Sequence, residues 1–181
     1  MRSLKAAPFD LQPILTGNLL ELRPMRADDF DDLFRVASDP LIWEQHPERN
    51  RYQELIFRTF FEEGLISGGA LVAIDRATSR IIGSSRYHGY DASRSVIEIG
   101  WTFLERAYWG GRYNGEMKHL MLEHAFQWVH RVLFIIGPDN HRSRRAVEKI
   151  GGVLSGMTTD ARGRDRVVYE LTRTLYHGQF T

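Results

Sequence analysis

The sequence lacks cysteine, and it has no long apolar run among its 181 residues. The missing cysteine excludes disulfides, zinc ribbons, CxxC redox chemistry and a cysteine acyl-enzyme. No apolar run approaches the roughly 18 residues that a membrane span requires, and residues 1–13 lack the apolar core of a secretion signal. We therefore expect a soluble cytoplasmic protein without a membrane partner.

The net charge is also small, because 24 basic side chains nearly balance 23 acidic ones. A formal charge of +1 argues against general polyanion binding. The balance conceals an asymmetry: residues 26–63 carry ten acids and five bases, whereas residues 131–166 carry eight bases and four acids. These segments are either two solvated faces or two binding surfaces of opposite sign.

The length favours one domain, and 43% hydrophobic with 26% charged residues is an ordinary globular composition. We expect this domain at residues 18–181, after an N-terminal extension at residues 1–17 where flexibility would concentrate. Hydrophobic periodicity predicts the order β-α-α-β-β-β-α-β-α-β-β, a mixed α/β domain. The predicted strands are 19–25, 70–75, 81–88, 96–104, 131–137, 153–157 and 166–172, and the predicted helices are 30–38, 52–63, 113–129 and 140–150.

Two of these elements carry specific side-chain predictions. The strand at residues 96–104 alternates strictly, which predicts one core face and one polar face. The core face would hold Ile97, Ile99, Trp101 and Phe103, and the opposite face Glu98, Gly100 and Thr102. In the second helix, the predicted apolar stripe is Leu55, Ile56, Phe60 and Phe61.

A glycine-rich turn at residues 109–112 joins this strand to the longest helix, a position where backbone N–H groups can bind an anion. A phosphate-binding loop of the GxxxxGK[ST] type is excluded, since Glu116 and Met117 follow Gly115. The dinucleotide pattern GxGxxG is absent as well. The remaining pattern is the coenzyme A pyrophosphate loop, Q/R-x-x-G-x-G/A.

In three segments the chain resembles the GNAT superfamily of N-acetyltransferases, in particular the Rim-type ribosomal-protein acetyltransferases. The segments are 98–102 (EIGWT), 108–116 (YWGGRYNGE) and 140–151, where Asn140, Ser143, Ala146 and Gly151 recur. The resemblance covers about residues 19–172. It implies a GNAT-like fold with a mixed, mostly antiparallel sheet. It also implies acetyl-CoA as cosubstrate, without a metal, and direct transfer of acetyl to a primary amine.

The resemblance also implies which residues hold CoA. The pyrophosphate would meet backbone N–H groups of the loop, and a strand N–H near Trp101 would polarise the thioester. Two residues depart from the usual loop, Trp-Gly-x-Gly-Tyr-Ala: Arg112 replaces the second glycine and Asn114 the alanine. A side chain on Arg112 restricts its backbone but adds a cation that can pair with phosphate. The implied CoA-binding residues are Trp101, Thr102, Trp109, Gly110, Gly111, Arg112, Tyr113, Asn114, Asn140 and Arg145.

Two residues are candidates for the chemistry of transfer. By resemblance, Glu98 would help to deprotonate the amine and Ser143 would protonate the departing thiolate. Many family members use a tyrosine for the second role, but Val147 stands at that position. The alternatives are a surface ion pair for Glu98 and helix capping for Asn140 and Ser143.

Residues near the acceptor are harder to identify from the sequence. His88, Tyr90 and Trp43 are candidate substrate-binding residues, and the acidic segment 26–63 would favour a cationic amine. The basic residues Arg142, Arg144, Arg145 and Lys149 would face the CoA phosphates. His119, Glu123 and His124 lack the HExxH order, so no metal is assigned.

Two other functions compete with catalysis. One is a GNAT-fold protein that binds acyl-CoA as a sensor, which the altered loop at Arg112 and Asn114 would permit. The other is nucleic-acid binding through the basic helix, disfavoured by the missing basic face. Apolar residues near the final hairpin are compatible with a homodimer. The acceptor remains either a protein N-terminus or a small-molecule amine.

Overall fold

A computed structural model describes residues 8–178. They form one eight-stranded mixed sheet in the order β1-β2-β3-β4-β5-β6-β8-β7, which has the architecture of the GNAT fold. The strands are β1 (Leu15–Thr16), β2 (Leu20–Pro24), β3 (Ala70–Asp75), β4 (Ile81–Asp91), β5 (Val96–Leu104), β6 (Arg131–Ile136), β7 (Val153–Thr159) and β8 (Asp165–Thr172). The α-helices are α1 (Phe30–Ala37), α2 (Pro40–Trp43), α3 (Glu54–Ser67), α4 (Arg112–Ala125), α5 (His141–Lys149) and α6 (Arg173–Gly178).

The sheet is antiparallel except where β5 meets β6. That parallel ladder is short, joining Val96–Glu98 to Arg131–Leu133. Beyond Glu98 the two strands no longer pair, although β5 continues to Leu104. Backbone edges that face each other without pairing leave room for a ligand between them.

Two hydrophobic cores lie on opposite faces of the sheet. Helix α4 packs on one face, where Met117 and Met121 are fully buried in the same cluster as Ile97 and Ile99. Helices α1 and α3 cover the other face, with Leu33 and Phe57 in the second cluster. Each core removes a large apolar area from water, which is the main driving force for folding.

The predicted faces of β5 change in the middle of the strand. Ile97 and Ile99 lie in the α4 core as a pair, but Trp101 and Phe103 pack in the opposite core. The cause is a bulge: the register with β4 shifts between Ser84 and Arg86, and Trp101 has a positive φ of 52°. One extra residue reverses the side-chain alternation, so the prediction of one continuous core face was wrong.

The predicted stripe of α3 was half wrong. Leu55 and Ile56 are exposed, at 82% and 36%, whereas Phe60 and Phe61 are buried as expected. Phe57, which the prediction omitted, is fully buried instead. The helix runs from Glu54 to Ser67. Packing on the sheet decides which side of this helix faces inward, and the apolar pair Leu55 and Ile56 does not.

The two edges of the sheet differ in how well they are covered. At the N-terminal end, Phe9 is buried against Tyr87, and the unpredicted strand β1 pairs with β2. The prediction for residues 1–7 of the expected extension lies outside the described residues. At the other sheet edge, β7 exposes Val153, Leu154 and Met157. Within residues 8–178, no helix is long and apolar enough to cross a membrane.

Candidate functional site

A cavity of about 650 Å³ occupies the gap between the ends of β5 and β6. Its walls come from the loop after α2, from β5, from the start of α4, from the end of β6 and from α5. The bulge of β5 forms one side, and Trp101 and Thr102 both line the cavity. The early end of the parallel ladder is what opens it.

The turn before α4 forms one end of the cavity. Gly110 and Gly111 have φ values of 104° and 110°, a region that favours glycine, and an added Cβ on either would meet open space. Arg112 begins the helix with an exposed side chain, so the left-handed backbone falls on the two glycines before it. The first N–H groups of α4 lack intrahelical acceptors and can bind an anion.

The predicted loop residues divide between two directions. Trp109, Gly110, Gly111 and Asn114 line the cavity. Tyr113 is directed elsewhere, because its hydroxyl donates to Asp75 Oδ1 at 3.0 Å and its ring packs on Tyr108.

Helix α5 supplies the opposite wall of the cavity. Asn140 caps the helix by accepting from the Ser143 N–H at 3.2 Å, and both residues line the cavity. Capping and cavity lining therefore coexist at these positions. Arg145 and Lys149 are exposed cations on the same wall, whereas Arg144 bonds Tyr169 and Pro138.

Arg142 connects three parts of the cavity wall. Its guanidinium donates to the Ile42 carbonyl at 2.6 Å and stacks 4.1 Å from the centre of the Trp109 ring. Its backbone N–H donates to Gln45 Oε1 at 3.0 Å. The segment around α2, the glycine turn and α5 are thus held together by one residue, a contact that sequence periodicity does not reveal.

Glu98 lies on the α3 face of the sheet, where the parallel ladder ends. Its carboxyl leans along the strand, so that Oε1 would lie 3.2 Å from a Cβ on Gly100, a residue that lines the cavity. Burial raises the pKa of Glu98 to about 7, and the charge of Arg86 opposes that rise. A carboxyl that titrates near neutral pH can accept a proton from a bound group.

Lys118 on α4 lines the cavity, and the sequence pattern did not identify it. Its Nζ donates to Thr102 Oγ1 at 2.5 Å and to Ser85 Oγ at 3.2 Å, on the α4 face of the bulge. Complete burial lowers its pKa to about 7. A lysine on a helix is usually exposed to solvent, so only the position of Lys118 at the bulge of β5 shows that it is buried.

The predicted acceptor residues do not gather in one place. Trp43 lines the cavity, and its indole N–H donates to the Ala37 carbonyl at 2.8 Å. His88 is exposed on the same sheet face as Glu98, with its ring 5.2 Å from that of Trp101. Tyr90 packs on Phe9 in the opposite core and lies away from the cavity.

The two charged segments meet each other in the fold. Glu48 bonds Arg162 and Arg164 of the β7–β8 hairpin, and Asp39 pairs with Arg106. The part of the acidic segment that lines the cavity carries no carboxylate; it consists of Ile42, Trp43, Gln45, His46 and Pro47. The residues of the acidic segment that line the cavity therefore present no acidic surface to a cationic amine.

Among residues 8–178, no group of three or more His, Cys, Asp or Glu side chains could hold a metal ion. His119 instead contacts the Tyr176 hydroxyl, and His124 Nε2 bonds the Asp10 carbonyl at 2.7 Å.

Solved structures with this architecture were found in several bacteria. A GCN5-related N-acetyltransferase from Brucella melitensis has a TM-score of 0.82 at 21% identity, over 94% of this chain and 83% of that one. Mycobacterium smegmatis RimJ in complex with CoA-disulfide has a TM-score of 0.64 at 17% identity, over 85% and 82%. Vibrio cholerae spermidine N-acetyltransferase, in complex with CoA and spermine, has a TM-score of 0.67 at 14% identity, over 88% and 98%.

The sequence itself decides the family. No curated protein sequence matches the chain. The family model described as "Acetyltransferase (GNAT) domain" matches residues 20–153, which is well over half of the chain and includes the cavity's β5, α4 and α5 walls. The chain therefore belongs to the GNAT acetyltransferase domain family.

Proposed function

We propose that this protein transfers an acetyl group from acetyl-CoA directly to a primary amine. One observation carries the proposal: the cavity between β5 and β6 has a helix N-terminus at one end and the carboxyl of Glu98 beside the other. The first can hold an anion and the second can accept a proton. Family membership supports acyl transfer, and two of the similar structures contain CoA or its disulfide.

The residues of the cavity fit a CoA molecule. Gly110 and Gly111 leave the space above the turn free, so a pyrophosphate can approach the backbone N–H groups at the start of α4. Arg145 and Lys149 supply exposed cations for the remaining phosphate. Asn140 and the unpaired edge of β5 at Trp101 and Thr102 would hold the pantetheine arm.

The transfer step needs a neutral amine, a polarised thioester and a proton for the leaving sulfur. Bound acetyl-CoA supplies the activated acetyl group. The amine nitrogen forms a bond to the acetyl carbon, the carbon–sulfur bond breaks, and its electron pair leaves on sulfur. Glu98 takes a proton from the amine, directly or through water. The thiolate takes one from the Ser143 hydroxyl, which solvent then restores.

Glu98 would suit an α-amine better than a lysine side chain. Freeing an amine with a pKa of about 8 at pH 7 costs about 1 kcal/mol, while a lysine with a pKa of about 10.4 costs about 4–5 kcal/mol. The pKa of about 7 at Glu98 is closer to the first case. Protein N-termini and small α-amines therefore remain the proposed acceptors.

The test combines calorimetry of acetyl-CoA binding with turnover on a panel of primary amines, followed by mass spectrometry of the products. We expect binding, a mass gain of one acetyl group on the amine, and slower turnover in Glu98→Gln with unchanged CoA affinity. Binding without acetylation of any amine would favour the acyl-CoA sensor instead. If neither CoA nor acetyl-CoA binds, the proposed function is wrong.

A further inference from the structure

Two arginines lie on the same face of the sheet as Glu98, and of these Arg86 is buried and Arg51 is half-buried. Arg86 on β4 is only 5% exposed, with its guanidinium carbon 4.7 Å from the centre of the Trp101 ring. Arg51, from the segment before α3, stacks 4.4 Å from the centre of the Phe60 ring. Arg86 also lies 5.6 Å from the centre of the Phe60 ring, so both cations lie close to the same phenyl ring.

Carboxylate charges act on these two cations only from a distance, Glu63 and Glu98 on Arg86, and Glu48 and Glu63 on Arg51. No ion pair joins Arg51 or Arg86 to a carboxylate within residues 8–178. The buried Nε of Arg86 has no hydrogen-bond acceptor there, and its terminal nitrogen reaches only the Phe60 carbonyl, at 3.4 Å. Burial lowers the pKa of each arginine to about 10, and the positive charge of Arg86 contributes to the lowering at Arg51.

The contact between Arg51 and His46 does not satisfy Arg51 either. His46 Nδ1 accepts the backbone N–H of Glu48 at 2.8 Å, and burial beside cations lowers the pKa of the ring to about 3. A neutral imidazole that accepts at Nδ1 carries its proton on Nε2. The Arg51 nitrogen lies 3.1 Å from that Nε2, and the neutral ring supplies no counter-charge for the guanidinium.

A buried guanidinium nitrogen without an acceptor, such as Arg86 Nε, is costly unless an anion occupies the site during function. Because Arg86 lies near Glu98, the molecule that carries this anion should also carry the amine that reacts at Glu98. Arg86 pairs with Gly100 across the β4–β5 ladder, and Glu98 lies two residues further along the same strand. Side chains in that diagonal relation are about 7–8 Å apart at their bases. A molecule held between them needs an amine and an anion only a few atoms apart.

We propose that the acceptor of this enzyme is a free α-amino acid, whose carboxylate binds Arg86 and Arg51 while its amine lies at Glu98. This inference rests on the proposed acetyl transfer and narrows its substrate class. A guanidinium is suited to a carboxylate, because its planar fork donates two parallel hydrogen bonds. Protein N-termini lack a carboxylate at this spacing, so the inference disfavours them as acceptors.

The experiment compares acceptors that differ only in the anion. Glycine, leucine and phenylalanine are each tested as the free acid, as the α-amide and as the decarboxylated amine, with phosphoethanolamine as a phosphate-bearing probe. We expect at least one free acid to be acetylated with a kcat/KM about 10–100-fold above its amide and its amine. A preference for phosphoethanolamine, or equal rates for acid and amide, overturns the inference while acetyl transfer itself stands.

Two variants connect the preference to the two arginines. Arg86→Met and Arg51→Met should each remove most of the preference for the acid, mainly by raising its KM. The preference is read within each variant as the ratio of acid to amine, because loss of the Arg86 charge also raises the pKa of Glu98 and changes the turnover of every amine. Arg58→Met is the matched control, because Arg58 is an exposed arginine on α3 that pairs with Glu54. If the acid preference survives in both variants with folded protein, the carboxylate site is wrong. If no amine of any kind is acetylated, the proposed function falls together with this inference.

Discussion

Glu98 and Gly100 share one small space beside the cavity: a Cβ on Gly100 would lie 3.2 Å from Glu98 Oε1. The absent side chain at Gly100 is what allows the carboxyl to lean along the strand toward the cavity. Glu98→Gln removes the proton acceptor, and Gly100→Ala displaces it. The two substitutions therefore test the same carboxyl in different ways.

Gly100→Ala should slow amine acetylation about tenfold, since a displaced catalytic group loses its alignment with the reacting atom. The measurement is the steady-state rate with saturating acetyl-CoA. Gly156→Ala is the matched control, because a Cβ on Gly156 would meet nothing within 4 Å. Unchanged turnover in Gly100→Ala would contradict the role given to the position of the carboxyl.

Glu98→Gln should change the pH dependence as well as the rate. The pKa of about 7 means that the carboxyl loses its proton as pH rises through neutrality, so its contribution grows over pH 6–8. The ratio of wild-type to variant rate, measured with one amine, should rise across that range and then level off. A ratio that stays flat with pH would show that Glu98 does not take the proton.

Lys118→Met should alter how stability depends on pH. The folded pKa of about 7 lies below the unfolded value of about 10.4, so the unfolded chain binds more protons in between and wild-type stability rises with pH there. The stability of the variant relative to wild type should therefore fall by about 1 kcal/mol per pH unit over that interval.

Urea unfolding at pH 7.5, 8.5 and 9.5 measures this difference for Lys118→Met. The matched control is Lys149→Met, which replaces an exposed lysine and should leave the wild-type slope unchanged. Parallel curves for wild type and Lys118→Met would mean that the lysine is not buried as a perturbed group.

Arg142→Met should loosen the cavity wall. It removes the bond to the Ile42 carbonyl and the stacking on Trp109, which together contribute about 1 kcal/mol, or about 2–4 °C in Tm for a chain of this size. Differential scanning calorimetry without ligand measures the change. Arg145→Met, an exposed neighbour on the same helix, should leave Tm unchanged, and an equal loss there would refute the connecting role of Arg142.

Phe57→Ala should destabilise the domain far more than Leu55→Ala. Phe57 is fully buried, so its truncation leaves a cavity and costs about 3–5 kcal/mol, whereas Leu55 is 82% exposed and its truncation stays within about 0.5 kcal/mol. Urea unfolding of both variants measures the contrast. Comparable losses would mean that α3 presents a different face to the sheet.

The sequence by itself determined the order of the main elements and the bounds of β5, because hydrophobic periodicity is a local property that survives in the fold. It also determined the family, through the glycine turn before α4 and the spacing of Asn140 and Ser143. The side chain at Arg112 proved compatible with the turn, since the positive φ values fall on Gly110 and Gly111.

Only the tertiary structure decided what surrounds the cavity. The bulge at Trp101 reverses the faces of β5, and no alternation pattern records an inserted residue. The burial of Lys118 and Arg86 depends on elements far apart in the chain that pack over them. For the same reason the acidic segment, which looked like a surface for a cationic amine, pairs through Glu48 with Arg162 and Arg164. Charge read along a sequence says how many groups there are, and the fold decides which of them face one another.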